Sequence, residues 1–334
     1  VDKALRQTAE RLGISEAELD ELAVPSFGMT DVGELDVPMG DFTAELRVAS
    51  TAMTQIGWRR DDGKLQKSVP KAVKEGVGEA LKELKATAKD IEKLLPVQRD
   101  RIDLLHLRRR SWPAAQWRER YRDHVLVGYL ARRLIWNFAD PGAEEAISAV
   151  WLDGELVDHS GAPVEVPWDR AVVSLWHPIG ASQQDVLAWR RFFEERAIVQ
   201  PFKQAHREVY LLTDAERTTG IYSNRFAAHI IKQHQFNALC SVRGWLNSLR
   251  LMVDDSYHST RVELAEWGVR AEFWVEGVGD DWDVDSTESG AYLCLATDQV
   301  RFYAIDTEPT SAHASGGGHR TAVGAEASPI PLEA

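Results

Sequence analysis

The chain has 334 residues, of which 44% are hydrophobic and 27% are charged, a composition typical of one large or two ordinary globular domains. The formal net charge of −13 argues against nucleic-acid binding through a generally basic surface. The sequence contains no apolar run of the roughly 18 residues that a membrane span requires, and no secretory signal is visible, so we expect no membrane association.

The first 140 residues are predicted to be mainly helical. Residues 2–23 read as two short helices, the second capped by Ser15 and Glu18. We assign residues 1–60 to a helical or irregular N-terminal segment and residues 61–140 to a helical region. The helices expected in that region cover residues 77–95, ended by Pro96, then 97–110 and 114–138.

After Pro141 the pattern changes to that of an α+β domain over residues 141–308. The stretch AVWLDGELVD predicts a hairpin with an Asp-Gly turn, and RAVVSLWHP predicts a buried strand. A helix capped by Ser182 follows, then the strand REVYLLT, a helix over 223–242 and strands over 261–305. The predicted fold is therefore α+β, with a helical N-terminal half followed by a mostly antiparallel sheet and packed helices.

The C-terminal residues 309–334 are small and polar, so we expect a flexible linker to a missing C-terminal part. Other domains of the same longer chain are then the first candidate partners, and a separate protein partner is possible. Two cysteines, Cys240 and Cys294, are too few and too far apart for a disulfide framework. They indicate a reducing compartment, and a cytoplasmic localisation is expected.

Three patterns that would indicate a cofactor, a metal or a nucleophile are incomplete. The segment ASGGGHRTAVG lacks the Gly-Lys-Ser/Thr ending of a phosphate-binding loop. Asp281, Asp283 and Asp285 have the alternate spacing of a calcium loop, but the glycine and glutamate that complete such a loop are missing. The sequence contains no Gly-x-Ser-x-Gly elbow. We therefore expect no cofactor and no metal, and leave open whether the protein is an enzyme.

The stretch AIVQPFKQAHREVYLLT, residues 197–213, concentrates polar side chains between apolar flanks. One interpretation is a buried polar network that holds a helix-to-strand connection in place, because buried polar groups must be paired. The other is a ligand pocket, in which Arg207 binds an anion and Gln204 orients it. The candidate ligand-binding residues are His177, Gln200, Lys203, Gln204, Arg207 and Glu208.

Charge is unevenly distributed along the chain. Residues 98–133 hold ten Arg and four acidic residues, whereas residues 263–308 hold twelve acidic residues and two Arg. Arginines interleaved with aromatic residues are typical of surfaces that bind nucleic acids, although the overall acidity disfavours that role. Alternatively, the aromatic rings point inward and the arginines pair with the acidic C-terminal half. The candidate nucleic-acid residues are Arg108, Arg109, Arg110, Arg118 and Arg122.

Several long stretches resemble a known bacterial family. They are KSVPKAVKE, RRRSWPAAQWRERYRDHVLVGYLARRLIW, LWHPIGASQQDVLAWRRFFEERAIVQPFKQAHREVYLL and YSNRFAAHIIKQHQFNALCSVRGW. They are similar to the domain of unknown function of MolR-like proteins, named as molybdate-metabolism regulators, some of which carry a WGR domain. The resemblance covers most of residues 60–305; the chain itself shows no WGR motif. The family has no agreed catalytic residues, and its name implies a regulatory or partner-binding role.

These observations favour a noncatalytic interaction or regulatory module of a larger bacterial cytoplasmic protein. One alternative is a sensor or enzyme that binds a small anion or nucleotide through the cluster at residues 200–208. Another is a nucleic-acid-associated protein that uses the arginine-rich helices.

Overall fold

The computed structural model describes residues 2–142, 145–252, 255–314 and 328–333. The chain divides into two compact units, residues 1–209 and 210–334, and each is described by itself. The α+β prediction is confirmed: helices alternate with sheets whose paired strands run antiparallel.

The helices of the first unit are α1 (Asp2–Leu12), α2 (Glu16–Leu22), α3 (Lys71–Gly76), α4 (Gly78–Asp103), α5 (Ala114–Trp117), α6 (Val127–Ala131) and α7 (Gln183–Glu195). Its strands are β1 (Glu34–Met39), β2 (Phe42–Ser50), β3 (Met53–Arg60), β4 (Leu65–Gln66), β5 (Ser111–Pro113), β6 (Trp136–Ala139), β7 (Ile147–Leu152), β8 (Glu155–Val157) and β9 (Val172–Leu175).

The N-terminal segment, residues 1–60, is not only helical or irregular, so that prediction was wrong. After α1 and α2, a four-stranded antiparallel sheet forms in the order β1-β2-β3-β4. Along β2 the residues Ala44, Leu46 and Val48 alternate as buried positions. This is the period-two pattern of a half-buried strand, so the sequence did carry the signal that we missed.

Helix α4 continues through Pro96, where we expected one helix to end and a second to begin. Proline removes one helical hydrogen bond and normally disfavours a helix interior. Ile91 and Leu95, however, are 0% exposed and belong to the large core cluster of the unit. Packing of this continuous apolar face outweighs the cost of the proline. The helix ends at Asp103, and a separate helix over 97–110 does not form.

The predicted helix over 114–138 was also wrong. The chain forms α5, a π-helical turn over Arg118–Arg122, α6 and finally strand β6, which pairs with both β7 and β9. The ring centroids of Trp117 and Trp136 lie 5.5 Å apart. Aromatic residues from several short elements pack into one core. Their spacing along the sequence resembles that of apolar residues on one face of a helix. Between residues 111 and 139 the fully buried rings are Trp112, Trp117, Tyr121, Trp136 and Phe138.

The second sheet of the first unit has the order β5-β9-β6-β7-β8. It takes strands from both sides of residue 140, so the domain boundary predicted there was wrong. The predicted hairpin is confirmed: Asp153 and Gly154 connect β7 to β8 with φ angles of 49° and 95°. A tight two-residue hairpin turn requires such positive values. The predicted buried strand is β9, and Val173 within it is 0% exposed.

The second unit contains α8 (Asp214–Thr219), α9 (Gln233–Arg243), α10 (Trp282–Asp285), β10 (Ile230–Lys232), β11 (Ser256–His258), β12 (Thr260–Leu264), β13 (Val269–Gly277), β14 (Cys294–Ala304) and β15 (Ser311–His313). Its main sheet has the order β10-β14-β13-β12, and β11 pairs with β15. Of the predicted helix over 223–242, only the second half forms, as α9. The first half includes β10, which completes the sheet beside β14.

Two further predictions need correction. The stretch REVYLLT, residues 207–213, was expected to be a strand but has no regular structure, and Tyr210 and Leu211 within it are 60% and 76% exposed. The predicted linker over 309–334 begins with β15, which is paired and therefore part of a sheet. The glycine-rich segment predicted not to bind phosphate lies almost entirely outside the described residues. Within the described ranges, no helix has the length and apolar character needed to cross a membrane.

Candidate functional site

The predicted polar cluster follows α7 in the first unit. Ser182 Oγ accepts a hydrogen bond from Asp185 N at 3.1 Å and begins the helix, as expected. The helix ends at Glu195, and Ala197 has a φ of 50°, which turns the chain. Residues 198–208 continue as turns and bends without helix or strand. Hydrogen bonds made by side chains therefore contribute much of what holds this segment in its conformation.

Gln204 is the centre of this segment and is only 2% exposed. Its Oε1 accepts from Ile135 N at 2.8 Å and from Gln200 Nε2 at 3.0 Å. Its Nε2 donates to the carbonyl oxygens of Ile135 at 2.8 Å and Trp176 at 3.0 Å. Four bonds use the whole capacity of a side-chain amide. Ile135 precedes β6 and Trp176 follows β9. The Gln204 amide therefore forms hydrogen bonds with the backbone at the ends of two paired strands.

Gln200 extends the same network. Its Nε2 also donates to the carbonyl oxygen of Arg133 at 3.2 Å, and its Oε1 accepts from Ala205 N at 2.9 Å. The two glutamines thus join the segment to the chain that leads into β6. Both amides bond mainly to backbone groups, so neither is positioned to orient a ligand.

Arg207 belongs to a different group. Its guanidinium forms an ion pair with the carboxylate of Asp103, the last residue of α4, and its Nη1 lies 3.3 Å from His106 Nε2. The ring of His106 stacks on that of His177, with centroids 4.7 Å apart and an interplanar angle of 30°. The structure therefore places two predicted residues, Arg207 and His177, beside Asp103 and His106. Sequence reasoning missed the latter pair, because no local pattern links residues about a hundred positions apart.

His177 is held in its neutral form. Its Nδ1 accepts a hydrogen bond from Ile179 N at 3.1 Å, so the proton of the neutral ring is assigned to Nε2. Burial, and then the nearby His106 and Arg207, lower the pKa of His177 to about 4. At neutral pH the uncharged ring therefore caps the 3₁₀-helical turn Pro178–Gly180 and stacks on His106.

The remaining predicted residues lie at the surface. Lys203 Nζ and Glu208 Oε1 form an exposed ion pair at 3.2 Å, and His206 Nε2 lies 2.9 Å from Glu194 Oε1. A cavity of about 570 Å³ opens here. Its lining residues are Phe193, Glu194, Ala197, Ile198, Val199, Gln200, Phe202, Lys203 and His206. The six predicted residues thus separate into an amide pair (Gln200 and Gln204), a histidine–arginine group (His177 and Arg207) and an exposed ion pair (Lys203 and Glu208). Of these, Gln200 and Lys203 line the cavity.

Among the predicted arginines, Arg110 faces a buried carboxylate. Its Nη2 lies 3.4 Å from Glu21 Oε1, and Glu21 is 3% exposed. The same carboxylate accepts from Trp112 Nε1 and Tyr121 Oη, both at 3.0 Å, and from Arg120 Nη1 at 3.3 Å. Glu21 thus ties α2 to the aromatic core. No local pattern indicates this role, because an acidic residue in a short helix is normally solvated.

Of the other predicted arginines, Arg118 is exposed and Arg122 is half-buried. Arg118 and Arg122 lie 4.0 and 2.7 Å from the carboxylate of Asp123, and Arg122 also stacks 4.3 Å from the ring centroid of Trp151. Arg108 and Arg109 are exposed. The sequence predicted acidic partners in the C-terminal half, but the carboxylates that pair with Arg110, Arg118 and Arg122 belong to the first unit. A nucleic-acid role for these arginines stays a prediction.

Over 223 residues the chain is 26% identical to an uncharacterized protein, YehI, of Escherichia coli strain K12. The alignment covers 65% of this chain and 18% of that protein, so the chain spans less than a fifth of the length of this relative. No solved structure matches the chain. The model of the family described as "Domain of unknown function (DUF4132)" matches residues 63–245, more than half of the chain, and the chain therefore belongs to that family.

Proposed function

We propose that the chain is a noncatalytic interaction or regulatory module of a larger bacterial cytoplasmic protein. Its alignment with a small part of a much longer Escherichia coli protein supports the idea that it works beside other domains. The resemblance to MolR-like proteins supports a regulatory role. Both cysteines are free, which is consistent with a reducing compartment.

The observation that carries this proposal is the cavity next to Val199. Gln200, which lines the cavity, uses its amide for hydrogen bonds to Arg133, Gln204 and Ala205. The apolar part of the lining is formed by residues such as Phe193 and Ile198. Val199 is 77% exposed at its edge. An apolar centre surrounded by charged groups, such as Glu194 and Lys203, is the usual composition of a protein-binding patch.

The partner to test first is the remainder of the longer natural protein, expressed separately and titrated with this chain by calorimetry. We expect Val199→Glu to weaken binding at least about tenfold, because it replaces an exposed apolar side chain at the edge of the cavity with a charged one. Leu187→Glu is the matched control: Leu187 lies on α7, is 52% exposed and does not line the cavity. Equal affinity of both variants and the unchanged chain would contradict a binding role for this cavity.

A small-ligand sensor or enzyme is the second candidate, favoured by the close approach of His177, His106 and Arg207. A thermal-shift screen with ATP, phosphate and molybdate tests it, since a ligand of the folded state raises the melting temperature by mass action. We expect no shift, because Arg207 already pairs with Asp103. A shift that Arg207→Ala abolishes while the fold is retained would instead establish the sensor.

A further inference from the structure

The second unit contains a separate cavity of about 340 Å³ between α9 and the main sheet. Its volume is within the range of small-molecule sites, roughly 300–1,000 Å³. Phe236 and Cys240 of α9 are buried in the core of the unit, whereas Leu239 is 57% exposed, so the lining extends from the core to the surface. The lining residues are Phe226, His229, Ile231, Phe236, Leu239, Cys240, Arg243, Trp245, Thr260, Phe273 and Thr297.

This lining favours a neutral ligand. Arg243 is its permanently charged residue and already has an interaction partner. Burial raises the pKa of the Cys240 thiol to about 11, so the thiol is uncharged at neutral pH. Thr260 Oγ1 donates to Asn247 Oδ1 at 2.8 Å. A charged ligand would lose hydration here without gaining a free counter-ion, whereas an uncharged aromatic ring gains from contact with the phenyl rings.

Residues 226–229, on one side of the cavity, are fixed by Thr297 of β14. Thr297 Oγ1 donates to the carbonyl oxygen of Phe226 at 2.6 Å and accepts from His229 N at 3.1 Å. Thr297 N donates to the carbonyl oxygen of His229 at 2.9 Å, and Ala228 N donates to that of Thr297 at 2.8 Å. Ala228 has a φ of 60°, which residues other than glycine rarely adopt and which is more common at binding sites. The backbone that carries the His229 ring is therefore preorganised.

The ring of His229 offers one hydrogen-bond acceptor to the cavity. Its Nδ1 lies 3.2 Å from the carbonyl oxygen of Phe226, and because a carbonyl oxygen only accepts, Nδ1 is assigned the proton. In the neutral ring Nε2 is then an acceptor, and it has no hydrogen-bond partner among the residues that the structure describes. An apolar cavity with one free acceptor selects a ligand with one donor, because an unmatched polar group would lose its bond to water.

We propose that this cavity binds a small neutral aromatic molecule that carries one hydrogen-bond donor, as an indole or a phenol does. The ring lies among Phe226, Phe236 and Phe273, and its donor bonds to His229 Nε2. The site is in the second unit, so the proposal is independent of partner binding near Val199. A tryptophan or tyrosine side chain of a protein partner has the same chemistry and is the competing occupant.

The first experiment titrates the whole chain by calorimetry at pH 8, where an imidazole is neutral, with indole and with 1-methylindole, which lacks the donor. We expect saturable binding of one molecule per chain, with indole bound about fivefold more tightly, the contribution of one hydrogen bond. His229→Phe keeps an aromatic ring and removes the acceptor. It should abolish the preference for indole and leave the affinity for 1-methylindole unchanged.

Two further ligands test the charge and the source of the occupant. Indole-3-acetate should bind no more tightly than 3-methylindole, because the lining has no free counter-ion for the carboxylate. N-acetyltryptophan amide carries the same ring and donor between two peptide groups, and should bind more weakly than indole. Tighter binding of N-acetyltryptophan amide would assign the cavity to a side chain of a protein partner and overturn the proposal.

Two variants on α9 locate the site. Leu239 and Val242 are both 57% exposed, but only Leu239 lines the cavity. Leu239→Glu should weaken indole at least about tenfold by replacing an apolar contact with a charge, while Val242→Glu should have no effect. The melting temperature of each variant, measured without ligand, shows that the fold is retained. Absence of saturable binding, equal affinity for indole and 1-methylindole, tighter binding of indole-3-acetate than of 3-methylindole, or equal effects of the two variants would each overturn the proposal.

Discussion

Two regions of the molecule, the segment 198–208 of the first unit and the cavity around α9 of the second, use their side chains in opposite ways. The first is rich in polar residues, yet Gln204 is directed inward and bonds to the ends of β6 and β9. In the second, Phe226 and Leu239 are 40% and 57% exposed around an open apolar space. A dense group of polar residues in a sequence therefore does not mark a binding site unless its hydrogen bonds remain available.

The largest effect is expected from Gln204→Ala, which removes the amide between the two strand ends. It leaves Ile135 N and the carbonyl oxygen of Trp176 without this partner in a buried place. Each such loss costs about 1–3 kcal/mol, so we expect the free energy of unfolding to fall by about 3 kcal/mol. Urea unfolding followed by tryptophan fluorescence measures it. Gln200→Ala, at a half-buried position, should cost about 1 kcal/mol; an equal cost for both would argue against the central role of Gln204.

A smaller effect is expected from pH. The folded pKa of His177, about 4, lies below its ordinary value of 6.5, so on acidification the unfolded state takes up the proton first. The stabilisation that the neutral ring provides is complete above pH 6.5 and is lost as the pH falls toward 4. The two pKa values convert to about 3 kcal/mol, and because the ring is only half-buried, solvent screening reduces the loss to on the order of 2 kcal/mol.

His177→Asn is the matched variant, because asparagine also caps a helix but does not titrate. The stability difference between the unchanged chain and this variant should therefore shrink between pH 7 and pH 4.5 in urea unfolding experiments. Asp103, His106 and Arg207 surround the ring and are kept in both proteins. A difference independent of pH would show that His177 titrates normally in the folded state.

The smallest effect is expected from Lys203→Ala. The ion pair of Lys203 with Glu208 is exposed, and such pairs contribute about 0–1 kcal/mol at most. We expect a change within about 0.5 kcal/mol that disappears at high salt. The same urea titration at low and high salt checks this. If Lys203→Ala lowered the free energy of unfolding as much as Gln204→Ala, the structural distinction between exposed and buried polar residues of this segment would be wrong.

Local signals predicted the elements that depend on local chemistry. The Asp-Gly hairpin, the strand β9 and the cap at Ser182 were all found, because turn geometry and capping involve neighbouring residues. The continuation of α4 through Pro96 could not be predicted, since it depends on packing of the whole helix. The aromatic residues of 114–138 led to the wrong prediction of one helix for a related reason: rings that pack into one core can come from several short elements.

The candidate sites show the same limit. The sequence drew attention to Arg207 and His177, but their neighbours Asp103 and His106 lie far away in the chain. Sequence reasoning did not predict the apolar cavity, because Phe236 and Cys240 are residue types that ordinarily form a filled core. Apolar residues can either enclose a cavity or fill a core, depending on how the helix packs on the sheet. A local sequence pattern does not indicate which of the two occurs.

Glu21 lies outside the part of the chain that the family match covers, which affects where a stable fragment could be cut. The family match begins at residue 63, yet Arg110 and Trp112 within it depend on a carboxylate from α2. It ends at Trp245, in the middle of the second unit. The matched segment therefore leaves out residues that its own buried side chains contact. A fragment cut at the limits of the family would lose its buried counter-ion at one end and three residues that line an apolar cavity, Thr260, Phe273 and Thr297, at the other.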